Sequence, residues 1–231
     1  MKKNLFKLSG LTLALVAAIG MSGCASTGGN TAAASAKPLE VGIAADIQSV
    51  DVMHGGQKVT IQRNQNTANN INPAFAKTSR KCPPFCIQPG EVALGVKTIG
   101  ELEMLQYLQK VSAGDKTVMV IDSRTPDWVE KGTIPGSVSI PWDKLNIGKS
   151  DPITVQEILE KQLGARQQDG FWDFSGAKTL VMFCNGQWCG QSPTNIKGLL
   201  KIGYPAHKLV WYRGGMQEWE TLGLTTVKPA K

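Results

Sequence analysis

Histidine is scarce in this 231-residue chain, with only His54 and His207. Two distant histidines beside two close cysteine pairs make a poor ligand set for zinc, so no metal site is expected. No Ser/His/Asp arrangement suggests an acyl-transfer triad, and no glycine-rich loop is built to cradle a phosphate. No lysine- or arginine-rich run stands out, so the net charge of +7 leaves no nucleic-acid footprint. Three of the 25 basic residues, Lys2, Lys3 and Lys7, belong to the extreme N-terminus, and the mild remainder reads as solvated surface. Nothing calls for a cofactor. What is present, 42% hydrophobic and 19% charged residues, is the balance of a globular domain.

Met1-Lys2-Lys3-Asn4 is a charged head, and Leu5 to Met21 is mostly apolar with a core from Leu11 to Ile19. That core is shorter than the roughly 20 apolar residues of a membrane span, so residues 1–23 are expected to be an export signal. Met21-Ser22-Gly23-Cys24 resembles a bacterial lipobox, with Met21 in place of the commoner Leu. The resemblance implies cleavage before Cys24, a lipid on its thiol and anchoring on the periplasmic side of the cell envelope. Ala25 after the cysteine points to the outer membrane rather than the inner. An ordinary cleaved signal, with Cys24 incidental, is the other reading. Residues 24–37, Ala, Ser, Thr, Gly and Asn with one Lys, have too little apolar surface to order and read as a flexible tether.

Four cysteines remain, as Cys82-x3-Cys86 and Cys184-x4-Cys189. Close pairs in an exported chain suit disulfide, redox or persulfide chemistry. Residues 38–95 read as a small N-terminal region. Ile47–Val52 and Lys58–Gln62 alternate on either side of His54-Gly55-Gly56, a hairpin signal. Residues 63–81 are polar and Asn-rich, a loop. Pro83, Pro84 and Pro89 exclude a helix around the first cysteine pair.

From Thr98 onward the pattern is α/β. Thr98 with Glu101 reads as a capping box, followed by a stripe of Leu102, Leu105, Leu108 and Val111. Val118–Ile121, Val138–Ile140, Thr179–Phe183 and Lys208–Tyr212 read as strands. Ile153–Leu163, Asn195–Ile202 and Met216–Leu222 read as helices. Short unbroken apolar strands between helices imply a mostly parallel sheet with helices on both faces.

Three segments, in order, resemble the rhodanese family. Asp122-Ser123-Arg124 followed by Gly132-Thr133-Ile134-Pro135-Gly136 is similar to its D-x-R … G-H-I-P-G segment, with Thr133 where His is usual. An apolar strand then runs straight into Cys184. Tyr212-Arg213-Gly214-Gly215 with Trp219 is similar to its G-G-x-x-x-W ending. The resemblance covers about residues 96–225. It implies a rhodanese-like fold and a sulfurtransferase that carries sulfane sulfur as a persulfide on Cys184. The partners implied are a small sulfane-sulfur donor and a thiol acceptor. The nucleophile of such a domain follows a central strand, where loop amides favour a thiolate.

The loop Asn185, Gly186, Gln187, Trp188, Cys189, Gly190, Gln191, Ser192 departs from that family in two ways. It carries no Arg or Lys, which removes the guanidinium fork for an anionic donor, puts thiosulfate in doubt as the natural donor and argues against phosphatase chemistry. It also carries Cys189, placed to resolve an oxidised or persulfidated Cys184, or merely to pack beside Trp188. Asp122 and Arg124 are expected to support the loop. Arg213 either turns toward it or lies on the surface. Of the six tryptophans, only Trp188 reads as a substrate contact. Cys82 and Cys86 read as a structural disulfide, a redox partner of Cys184 or, least, a soft metal site. Two other functions stand beside the sulfurtransferase: a thiol–disulfide redox protein with a partner protein, and a rhodanese-fold adaptor without catalysis.

Overall fold

The computed structural model describes residues 39–229. The signal segment, Cys24 and the tether lie outside the described residues.

The described residues belong to one compact unit. It begins with an antiparallel hairpin, β1 (Ser49–His54) and β2 (Gln57–Gln62), turning at Gly55 and Gly56, which both hold positive φ. A long irregular stretch leads to β3 (Lys97–Ile99) and helix α1 (Glu101–Ser112). Strand β4 (Val118–Asp122), helix α2 (Pro126–Val129), strand β5 (Val138–Ser139) and the short helix α3 (Trp142–Leu145) follow. Helix α4 (Pro152–Glu157) continues through a π turn over Ile158–Gln162. A small hairpin, β6 (Arg166–Gln168) and β7 (Phe171–Asp173), precedes β8 (Thr179–Phe183). Helix α5 (Gln191–Lys201), β9 (Leu209–Tyr212) and α6 (Gly215–Thr221) complete the domain.

The central sheet has five parallel strands in the order β3-β9-β8-β4-β5. Its three inner strands, β9, β8 and β4, are mostly apolar and buried because both faces are covered. Leu180 and Met182 of β8 and Leu209 and Trp211 of β9 pack toward α3, α4 and α5. Val181 and Phe183, with Val210 and Tyr212, pack toward α1, α6 and the first hairpin. Val50, Val52 and Ile61 of that hairpin share this second core with Leu105 and Leu108 of α1.

Several local expectations are corrected. Thr98 does not cap α1, because backbone pairing draws it into β3 opposite Trp211. The N-cap is Gly100, whose amide donates to Glu103 Oε2 at 3.1 Å. That two-residue shift rotates the helix, so Leu102 is exposed and Met104 takes the buried position. Helix α5 starts at Gln191, four residues before the expected Asn195. The β6–β7 hairpin went unread although it turns at Asp169-Gly170, both at positive φ, a strong short-range hairpin signal.

Candidate active site

Cys184 follows the last residue of β8, a central strand, at the edge where such sheets place their ligand sites. The loop that follows is gripped from both sides. The Met216 and Gln217 amides at the start of α6 donate to the Cys184 and Asn185 carbonyls, each at 3.0 Å. Gly215 makes this approach possible: it holds φ +57°, and a Cβ there would stand 2.3 Å from the Cys184 carbonyl oxygen. Within the loop, the Cys189 amide donates to the Gly186 carbonyl at 2.9 Å. The loop ends at Gly190, the N-cap of α5.

These constraints fold Cys189 back onto Cys184. Both thiols are free and buried, 4% and 2% exposed respectively. Cys184 Sγ lies 3.3 Å from the Cys189 carbonyl, to which its thiol donates. The Cys189 thiol lies 3.5 Å from Gln191 Oε1. Burial opposes ionisation of Cys184, but hydrogen bonds to its thiolate from Cys189 and from the Ser192 and Gly186 amides favour it. They outweigh burial, and the Cys184 pKa falls below the ordinary thiol value. Ser192 stands in the first turn of α5, whose dipole adds to this. Cys189 moves the opposite way. Burial, its hydrogen bond to Cys184 and the Cys184 charge hold it well above the ordinary value. Of the two thiols, Cys184 therefore ionises first and Cys189 keeps its proton longer.

Cys189, not Cys184, lines the adjoining cavity of about 320 Å³, with Asn185, Gly190 and Gln191. Its other walls are Pro84, Phe85, Trp128, Trp142 and Trp188. Trp188 is joined on this cavity wall by two further tryptophans, Trp128 from α2 and Trp142 from α3. The Asn185 amide oxygen is buried without a hydrogen-bond partner. Gln187 is exposed, and its carbonyl accepts from the Gln88 amide at 2.8 Å.

Asp122 and Arg124 do not reach the thiols. They form a fully buried ion pair, Arg124 Nη2 to Asp122 Oδ2 at 2.6 Å. Thr133, which replaces the usual His, donates to Asp122 Oδ2 at 2.7 Å, and Arg124 donates to the Gly132 and Trp128 carbonyls. Together they fix the segment that carries the Trp128 wall.

Arg213 does not replace the missing loop arginine. It donates to the carbonyls of Gln88 and Pro89, at 2.9 and 3.2 Å. Those residues follow Cys82 and Cys86, which form a disulfide with Cα atoms 4.6 Å apart. The disulfide-bearing segment is thereby laid along the loop, with Phe85 edge-on to Trp188 at 5.6 Å between centroids. The residue that sequence reasoning missed is Arg80. Its guanidinium lies 3.7 Å over the Trp188 ring. No local signal marks it, since the cation comes from 104 positions upstream of Cys184.

The Rhodanese-like domain family matches residues 104–222, just over half the chain, and the protein belongs to that family. A comparison with curated proteins found no match. Among solved structures, the chain is similar to a human single-domain sulfurtransferase, at 21% identity and a TM-score of 0.36, over 54% of this chain and 95% of that one. It is also similar to a thiosulfate sulfurtransferase from Pseudomonas aeruginosa, at 19% identity and a TM-score of 0.39, over 59% of this chain and 21% of that one. A protein of unknown function from Rhodopseudomonas palustris, described as a possible tyrosine phosphatase, aligns at 21% identity and a TM-score of 0.37, over 57% of this chain and 85% of that one.

Proposed function

We propose that the protein is a sulfurtransferase that carries sulfane sulfur as a persulfide on Cys184. The observation that carries this reading is the place of Cys184, directly after the central strand β8 on a loop held by the α6 amides, with a pKa below the ordinary thiol value. The thiolate attacks the outer sulfur of a donor. A new S–S bond forms on Cys184, the donor's own S–S bond breaks, and its electron pair leaves with the donor remnant. An acceptor thiolate then takes the terminal sulfur and returns Cys184 as thiolate.

The closeness of the two residues, with the Cys184 thiol donating to the Cys189 carbonyl, favours a second outcome. Cys189 attacks Cys184 Sγ of the persulfide and passes its proton to the departing outer sulfur; a Cys184–Cys189 disulfide forms, the persulfide S–S bond breaks and hydrosulfide leaves with the electron pair. A thiol–disulfide partner would then reduce that disulfide. The lipobox-like segment supports placing the chain on the periplasmic side of the envelope, held through Cys24 and more in the outer membrane than the inner.

Intact-mass spectrometry of the reduced protein offered thiosulfate, and separately glutathione persulfide, tests this. A gain of one sulfur that is lost in Cys184→Ser is expected. Loss of two hydrogens from the Cys184/Cys189 pair, with hydrosulfide released, is the signature of the second outcome. A Cys184 that takes no sulfur from either donor after full reduction sinks the assignment and leaves the fold as a scaffold.

A further inference from the structure

A second cavity, of about 720 Å³, lies between the disulfide-bearing segment and the Cys184 loop. Arg80, Cys82, Phe85, Gln187, Trp188 and Glu218 are among the residues that line it. The first three lie outside the matched family segment and the last three inside it, so the N-terminal region supplies one wall of the cavity.

Arg80 is the unusual member. Its guanidinium stacks on Trp188 at 3.7 Å and lies within 5.9 Å of the Trp128 and Phe85 rings. Its Nε is buried and has no hydrogen-bond partner. Among the described residues, none of the ion pairs includes it. Burial weakens its hold on the proton. A partly desolvated guanidinium with an empty donor is costly unless an anion completes it. Planar stacking leaves its edge free for a carboxylate. Glu218 contributes a carboxyl group to the same cavity, its pKa raised by burial and by the neighbouring Glu101 carboxylate.

A cavity of this size is in the range of drug-sized ligands and is much larger than an inorganic sulfur anion requires. One cation and one anion in it match a ligand that carries both charges. Phe85 and Trp188 line this cavity and also the smaller one that opens on Cys189. These two rings form a wall between a ligand lodged here and the cavity that Cys189 lines.

We propose that this cavity binds a zwitterionic amino-acid or short-peptide thiol, with its carboxylate on Arg80 and its ammonium facing Glu218. The identification of the ligand as a sulfur donor or acceptor rests on the sulfurtransferase reading; the binding site itself does not. Arg80 then takes over, from the N-terminal region, the anion-holding task for which the loop has no cation.

Calorimetric titration of the purified full chain with S-methylglutathione, whose sulfur is capped, reads binding without chemistry. Saturable binding is expected in the wild type, at least about tenfold weaker in Arg80→Gln, because a charge-assisted pair is lost. Arg80→Lys should recover part of the loss, keeping the charge without the fork. The diethyl ester of the same ligand should bind the wild type as weakly as S-methylglutathione binds Arg80→Gln. That comparison needs no substitution and survives a variant that fails to fold. Absence of binding at millimolar ligand, equal binding by Arg80→Gln, or equal binding of the ester would overturn the site. Sulfur transfer from thiosulfate in a protein that does not bind S-methylglutathione discards this site and keeps the enzyme. Binding with no sulfur ever found on Cys184 discards the enzyme and keeps the site.

Discussion

The Gln88 amide donates to the Gln187 carbonyl at 2.8 Å, joining a residue next to the disulfide segment to the loop between the two free thiols. Arg213 reinforces the joint by holding the Gln88 and Pro89 carbonyls. With Phe85 against Trp188, this segment forms a lid over thiols that are almost wholly buried.

The double variant Cys82→Ser/Cys86→Ser should loosen that lid. Alkylation of Cys189 and Cys184 by iodoacetamide, followed by peptide mass spectrometry, should quicken several-fold. The closed loop is short, so chain entropy suggests a stability loss of only about 2 kcal/mol in denaturant unfolding. Unchanged alkylation would show that the lid is not the barrier.

Alkylation of Cys184 in the wild type should persist to pH values below the ordinary thiol range, while Cys189 lags. The sign follows from the direction of the two shifts. Cys184 is depressed, so its thiolate and the stability that goes with it are present above the ordinary thiol pKa, and both are lost as pH falls through the lowered folded value. Cys189→Ala removes a donor to the thiolate and should move the Cys184 rate profile toward higher pH. A profile that stays in place would mean that the amides alone set the thiolate.

Asp122→Asn removes the charge that compensates Arg124 inside the domain, where both side chains are almost fully buried. A loss of about 3–5 kcal/mol is expected in urea unfolding, the usual result of orphaning a buried charge. Replacing both residues, as Asp122→Leu/Arg124→Met, should recover much of it. A single variant as stable as the wild type would show that water reaches the pair.

Gly215→Ala should reduce sulfur loading of Cys184 by tenfold or more, since the added Cβ would meet the Cys184 carbonyl at 2.3 Å and the Gly186 nitrogen at 2.8 Å. Gly223→Ala is the control. It has a similar positive φ, but the nearest atoms to its added Cβ stand at 3.5 Å. It should carry the backbone strain, roughly 1–3 kcal/mol, and keep its loading rate. Equal loading by the two variants would mean that the loop tolerates displacement.

Much of the architecture was legible along the chain. Unbroken apolar runs marked β4, β8 and β9, because a strand covered on both faces has no polar side to show. Gly55-Gly56 marked the first hairpin, because two residues at positive φ favour glycine. The rhodanese-like motifs placed Cys184 at a strand end. These are short-range signals, written within a few residues of the feature they specify.

Tertiary structure decided the rest. Strand β3 has three residues, one of them buried, and exists because Lys97, Thr98 and Ile99 find β9. That pairing moved the α1 cap from Thr98 to Gly100 and turned Leu102 outward. The ranking of the two thiols depends on how far the loop folds back, and spacing alone does not state that. Arg80, the aromatic wall and the lid come to the Cys184 loop from separate parts of the chain. The sequence by itself determined which elements form and which cysteine follows the central strand, because local propensity and patterning act at short range. Which distant side chains surround that cysteine was decided only by packing, because burial rewards contacts that no periodicity along the chain records.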